Sequence, residues 1–149
     1  MGMAQTAVPA ERLQVAARLR LAVTRLNRRL RAEGDIGLSP GAMSALSNID
    51  RHGLLSLGEL AAMEGVKPPS ITATLSGLEA AGLVARELDG RDRRITRVKV
   101  TAAGKQRLER SKRRKTAFLA ARLERLQDRE LEELDQALEL IERLLENRA

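Results

Sequence analysis

Residues 54–101 read LLSLGELAAMEGVKPPSITATLSGLEAAGLVARELDGRDRRITRVKVT, and their local chemistry decides the fold. Ser56 and Glu59 have capping-box spacing, in which the hydroxyl takes one orphan N–H and the carboxylate reaches back to the cap. A helix therefore starts at Leu57, with Leu60, Ala61 and Met63 on its apolar side, and Gly65 can end it in a left-handed conformation. Pro68 and Pro69 suit the first turn of a second helix, where missing N–H groups cost nothing. Ile71, Leu75 and Leu78 then repeat at helical spacing until Gly82. Two helices joined by a short glycine-containing turn make a helix-turn-helix.

Burying Ile71, Leu75 and Leu78 turns Pro69, Ser70, Thr72, Ala73, Ser76 and Gly77 outward, at about 100° per residue. That outer face is small and polar. Beyond Gly82, residues 83–88 and 95–100 alternate partly in period two around Asp89-Gly90-Arg91-Asp92-Arg93-Arg94, which predicts a β-hairpin with an arginine-rich tip. Three arginines in one tight turn repel one another unless an anion is expected there, and a narrow minor groove concentrates negative potential for such a residue. The hairpin is a wing, and the stretch is a winged helix-turn-helix built to bind double-stranded DNA.

Composition agrees. The 149 residues carry a formal charge of +7 and a pI near 10.9, a field that attracts polyanions. Of the 27 basic residues 22 are arginine, and arginine makes planar, bidentate phosphate or guanine contacts that lysine cannot. The length admits one domain with a helical appendage. No run approaches eighteen apolar residues and no signal-peptide pattern opens the chain, which predicts a cytoplasmic protein without membrane contact. With no cysteine and one histidine, disulfides, thiolate metal sites and thiol redox sensing are excluded, and no metal or other cofactor is expected. No nucleophile and base pair up and no Gly-rich loop follows a strand, so an enzyme is not expected.

Helices flank the motif. From Ala10 to Arg31 the chain is helix-forming, with Leu19, Val23, Leu26 and Leu30 on one stripe, and Gly34 closes it. Ser39 and Pro40 open another helix through Met43, Leu46 and Ile49 to Gly53, with His52 in its last turn, where imidazole suits the helix dipole. Thr101 caps a helix running through Leu108, Phe118, Leu119, Leu123 and Leu126. Asp128 starts the last, where Leu131, Leu134, Leu138, Ile141 and Leu145 form a heptad-like seam two heptads long, wanting a larger helical surface. Residues 128–149 carry eight acids against three arginines, whereas residues 11–31 carry seven arginines against one acid. The acidic last helix is therefore expected near the basic first one, within a chain or across a dimer.

The order of elements, with LSGLEAAGLV at 75–84, DGRDRR at 89–94 and VKVTAAG at 98–104, resembles the MarR family of bacterial transcription regulators over nearly the whole chain. What the resemblance implies is a mainly α (α+β) fold, with residues 1–9 a flexible N-terminus and residues 10–149 one domain. Residues 10–34 and 102–149 would be dimerisation helices around a DNA-binding lobe at 39–101. It implies a homodimer that represses at a pseudo-palindromic operator. By position Ser70, Thr72, Ala73 and Ser76 would face bases and phosphates, with Lys67 near the backbone. Asp92 and Arg94 match the family's wing Asp-x-Arg, where the acid orients an arginine. Either Arg91 or Arg93 would enter the minor groove.

Departures matter too. Relatives often carry a long polar side chain where this chain has Ala73 and Gly77, so direct base readout is thin, and the wing and phosphate contacts should carry most affinity. The family commonly binds small aromatic acids between the dimer helices and the lobe, but this chain has one phenylalanine and no tryptophan or tyrosine. Stacking is nearly unavailable. An aliphatic pocket lined by Met43, Leu46 and Met63, or a constitutive dimer without effector, are the two expectations. A non-specific architectural DNA binder is the alternative to a sequence-specific regulator.

Overall fold

The computed structural model describes residues 8–35 and 37–146; most of the segment expected to form a flexible N-terminus, residues 1–7, lies outside the described residues. Six helices and three short strands follow in the order α1 (Ala10–Gly34), α2 (Pro40–His52), β1 (Leu55–Ser56), α3 (Leu57–Glu64), α4 (Pro68–Ala80), β2 (Val84–Leu88), β3 (Thr96–Val100), α5 (Ala102–Leu123) and α6 (Asp128–Glu146). The result is a mainly helical winged helix-turn-helix.

Each helix start expected from its cap is present. Ser39 Oγ accepts from the Ala42 N–H at 3.2 Å. Ser56 and Glu59 form the reciprocal box, with Oγ accepting from Glu59 N at 3.2 Å and Glu59 Oε2 from Ser56 N at 2.7 Å. Thr101 Oγ1 accepts from Gly104 N at 3.1 Å and donates to the Gly82 carbonyl at 2.6 Å, so one hydroxyl caps α5 and ties it to the turn before β2. Gly65 ends α3 at φ 63° and Gly82 follows α4 at φ 71°, the left-handed region that costs glycine nothing.

The core lies between the helices of the lobe and the sheet. Leu46, Ile49, Leu60, Ile71, Leu75, Leu78 and Val98 are all fully buried. Fully burying such a side chain stabilises by roughly 1.5–3 kcal/mol, so this cluster fixes α2, α3, α4 and the sheet as one body. β2 and β3 form the antiparallel wing, with Arg86 opposite Val98 and Glu87 opposite Arg97. β1, two residues long, adds to the far edge of β3 and pairs Ser56 with Arg97, giving the order β1-β3-β2. A two-residue strand is too short for periodicity to reveal.

Gly34 closes α1 as expected, and does so without a left-handed conformation; it is buried where the aliphatic part of Lys115 crosses it, leaving no room for a Cβ. Three expectations need correction. Met63 is not on the buried side of α3: it is 46% exposed, whereas Leu60 and Ala61 are buried and Leu57 packs partly buried against the core. α5 ends at Leu123, so Leu126 lies in the turn before α6. The acidic α6 does not pack on α1 within the chain, as it makes no extensive contact with any other element. Leu131, Leu134, Leu138 and Leu145 are exposed and Ile141 is half-buried. α1 instead packs along α5, leaving Val23 exposed and Leu19 half-buried.

Candidate nucleic-acid interface

α4 buries Ile71, Leu75 and Leu78 and leaves Pro69, Ser70, Thr72, Ala73, Ser76 and Gly77 exposed, with Lys67 exposed at its N-cap. This helix bears no charged residue before Glu79. Two of its hydroxyls are turned back on the helix: Thr72 Oγ1 donates to the Pro68 carbonyl at 2.9 Å and Thr74 Oγ1 to that of Ser70 at 3.1 Å. Ser76 Oγ accepts from Arg86 Nη2 at 3.4 Å. Arg86, on β2, also has Nε 3.0 Å from Glu79 Oε2. The angle there is too poor for a hydrogen bond, which leaves Nε without a partner. The contact is a Coulombic pairing that holds the wing strand beside α4.

The wing tip is organised by Asp89. Its Oδ1 accepts from Arg91 N at 2.7 Å and Asp92 N at 2.9 Å, the Asx turn that a short carboxylate favours. Its Oδ2 pairs with Arg97 Nε, and the Asp89 N–H donates to the Ile95 carbonyl at 2.9 Å, closing the loop. The Arg97 guanidinium, followed by the Asp92 and Arg91 amides, lowers the Asp89 carboxyl from 3.8 to about 2. Glu59 is also lowered, first by the Ser56 N–H and least by the Arg97 charge. Asp92 Oδ1 accepts from Arg94 N at 3.0 Å and Arg94 Nε at 3.2 Å, so the acid orients that arginine. Arg91 and Arg93 are exposed and, among the described residues, neither side chain has a hydrogen-bond or ion-pair partner.

The structure thus brings the wing against α4 through Arg86 and against α3 through Arg97. Sequence reasoning placed Asp92 and Arg94 and missed Asp89 and Arg97. The Asp-Gly pair at 89–90 was the available signal for an Asx turn. Nothing in the sequence marked Arg97, whose partners lie 8 and 38 residues away.

The flanking helices carry the residues expected at a dimer contact. A groove of about 420 Å³ between the end of α5 and α6 is lined by Leu123, Leu131, Leu134 and Leu138 together with Glu132 and Asp135. On α1, Val15, Leu19 and Ala22 line a shallow apolar depression beside Arg18. Between α1, α2 and α5 lies a polar cavity of about 320 Å³ lined in part by Asn27, Arg31, Asp35, Met43, Arg51 and Lys115. No described helix is long and apolar enough to cross a membrane.

A winged helix-turn-helix with a cationic wing between amphipathic flanking helices defines a class, the DNA-binding transcription regulators. The sequence model of the MarR family matches residues 36–95. An HTH-type transcriptional regulator of Mycobacterium bovis is 33% identical over 129 residues, covering 86% of this chain and 90% of the relative. A crystal structure from Pseudomonas aeruginosa, described as that of a transcriptional regulator, superposes with a TM-score of 0.80 at 33% identity, covering 93% and 99% of the two chains. A mutant of MepR from Staphylococcus aureus, bound to an oligodeoxyribonucleotide, has the same fold, with a TM-score of 0.70 at 16% identity over 89% and 98%. The chain belongs to the MarR family of transcriptional regulators.

Proposed function

We infer that this chain acts as a homodimer that binds a pseudo-palindromic operator in double-stranded DNA and represses transcription. α4 enters the major groove, with Lys67, Pro69, Ser70, Thr72, Ala73 and Ser76 toward the DNA, and a wing arginine enters the adjacent minor groove. One observation carries the reading: Arg91 and Arg93, whose guanidiniums have no partner among the described residues, stand on a loop organised by Asp89. The oligonucleotide bound to MepR, which shares the fold, supports a DNA partner.

Two copies meet through α1, α5 and α6. The exposed leucines of α6 are more apolar surface than a solitary helix keeps in water, and its acidic flanks complement the arginines of α1 in a second copy. Leu19 and Val23 of α1 face Leu131, Leu134, Leu138, Ile141 and Leu145 of α6 in that arrangement. An effector would enter the polar cavity between α1, α2 and α5. Its lining of Asn27, Arg31 and Arg51, with Lys115 already paired to Asp35, suits a small anion better than the aliphatic ligand that composition suggested, since Met63 lies elsewhere and on the surface.

Binding to the DNA upstream of the chain's own gene, compared with scrambled DNA of equal composition, tests the reading. A sequence-specific regulator prefers the former by at least about a thousandfold. Equal affinity for both would make the protein an architectural binder, and Arg91→Ala with Arg93→Ala binding as tightly as the parent would remove the wing from the interface.

A further inference from the structure

A two-stranded hairpin has little stiffness of its own. Arginines at its tip reach a groove reproducibly only if the tip holds a fixed angle to the helix-turn-helix. A continuous chain of hydrogen bonds does this. Ser56 N, at the cap of α3, donates to Glu59 Oε2 at 2.7 Å. The same oxygen accepts from Arg97 Nη1 at 3.4 Å, and Arg97 Nε donates to Asp89 Oδ2. Asp89 Oδ1 then accepts from the amides of Arg91 and Asp92.

Arg97 is the joint of this chain, since two nitrogens of one planar group engage carboxylates on two different elements. Its side chain is only 25% exposed, so it lies under the wing rather than on its outer surface. Strand pairing acts in the same place, because Ser56 of β1 is the register partner of Arg97. The neighbouring Val98 belongs to the core and Arg97 does not, so the tether can be cut without opening the core.

We propose that Arg97 is a positioning residue that fixes the aim of Arg91 and Arg93 by holding Asp89 of the wing to Glu59 of α3, without touching DNA itself. The proposal rests on the wing reading above. A lysine offers one point charge on a flexible stem where arginine offers a fixed fork, so Arg97→Lys keeps the charge and loses the double grip.

The test uses the full-length protein, its R97A and R97K variants, and R91A/R93A with and without R97A. In the free protein, amide hydrogen exchange at Arg91 and Asp92 should quicken about tenfold or more in R97A, while the amides of Leu75 and Leu78 keep the parent rate. Operator affinity should fall about tenfold in R97A, the equivalent of one charge-assisted hydrogen bond, and only part of it should return in R97K. In the R91A/R93A background the further loss of Arg97 should change affinity by less than about twofold, because contacting groups couple where independent ones add. Unchanged exchange at the tip would overturn the tether, and an undiminished R97A loss in that background would make Arg97 a DNA contact instead. Should R91A/R93A alone bind like the parent, the wing reading fails, and the exchange rates still decide whether Arg97 stiffens the tip.

Discussion

Lys115 Nζ lies 2.7 Å from Asp35 Oδ1, and this ion pair joins the end of α1 to the second half of α5. Ser111 Oγ donates to the same oxygen at 3.1 Å. Asp35 is nearly enclosed, its side chain 7% exposed, whereas Lys115 keeps 29%. Gly34, immediately before Asp35, makes room for the lysine stem. A buried carboxylate with two partners is costly to orphan, so substitution of either partner should cost more than a surface pair would.

Lys115→Met should therefore destabilise the protein by about 1–3 kcal/mol, below the range for fully buried pairs because solvent reaches the lysine and Ser111 still serves the carboxylate. Urea denaturation at neutral pH measures this. A change within about 0.5 kcal/mol, the size of a surface substitution, would show that the pair contributes nothing to the docking of α1 on α5.

Two glycine-to-alanine substitutions should move stability in opposite directions. At Gly104 a methyl group would run into the Leu83 carbonyl and come 2.6 Å from Val100 Cγ1, both fixed parts of the fold. Gly104→Ala should cost about 1–3 kcal/mol, the range for overpacking. At Gly77, in the middle of α4, a Cβ meets nothing within 4 Å, so Gly77→Ala should stabilise by about 1 kcal/mol through helix propensity. Thermal denaturation of both variants gives the signs, and a destabilising Gly77→Ala would contradict the open environment of that position.

These positions show where the sequence was sufficient. Capping pairs such as Ser56 with Glu59, left-handed glycines such as Gly65, and the period of Ile71, Leu75 and Leu78 are local, so they could be read from spacing alone. Gly104 was legible as part of a helix start, but its close approach to Leu83 depends on where α5 crosses the sheet. The same holds for Asp35, whose partners stand 76 and 80 residues further on, and for Arg97. Met63 was misplaced because an eight-residue helix makes only two turns, and its burial is set by which neighbours already fill the core. The seam of α6 called for a larger helical surface, and only the fold shows that α1 lies along α5 rather than on that seam.

The wing should loosen in acid. The Asp89 carboxyl is held at about 2 against an ordinary 3.8, chiefly by Arg97, so the folded state favours its ionised form. A depressed folded value gives stabilisation that is complete above about pH 5 and disappears as pH falls through 3.8 toward 2. Hydrogen exchange at Arg91 and Asp92, corrected for the intrinsic pH dependence of exchange, should accelerate across that window. In Asp89→Asn, which cannot ionise, the corrected rate should be fast throughout and flat in pH, and a window that survives the substitution would assign the effect to another carboxylate.

Self-association should respond to charge as well as to apolar area. If α6 meets the arginines of α1 in a second copy, replacing Glu132, Asp135 and Glu139 by glutamines weakens the dimer at low salt and leaves it nearly unchanged near 1 M, where the Debye length is about 3 Å. Leu134→Asp with Leu138→Asp should dissociate it at any salt, because two charges would have to be buried. Sedimentation equilibrium distinguishes these. A salt-independent effect of the three glutamines would remove the charge contribution, and a dimer that survives the two aspartates would move the interface off this face.

Salt dependence bears most directly on how DNA is held. α4 offers no cation between Pro68 and Ala80, so the electrostatic share of affinity must come from Lys67, the wing and the N-terminal ends of helices. Each phosphate neutralised contributes about 0.9 to the slope of log affinity against log salt, and each protomer of a dimer brings one wing. Removing a single wing arginine that neutralises one phosphate should thus lower the slope by about 2 for the dimer, while an arginine that points to solvent should leave it unchanged. Arg91→Ala and Arg93→Ala measured separately between about 50 and 200 mM salt then decide which of the two contacts DNA. A parent slope near zero over that range would contradict phosphate-dominated binding, and would shift the burden to the short side chains of Ser70, Thr72 and Ser76.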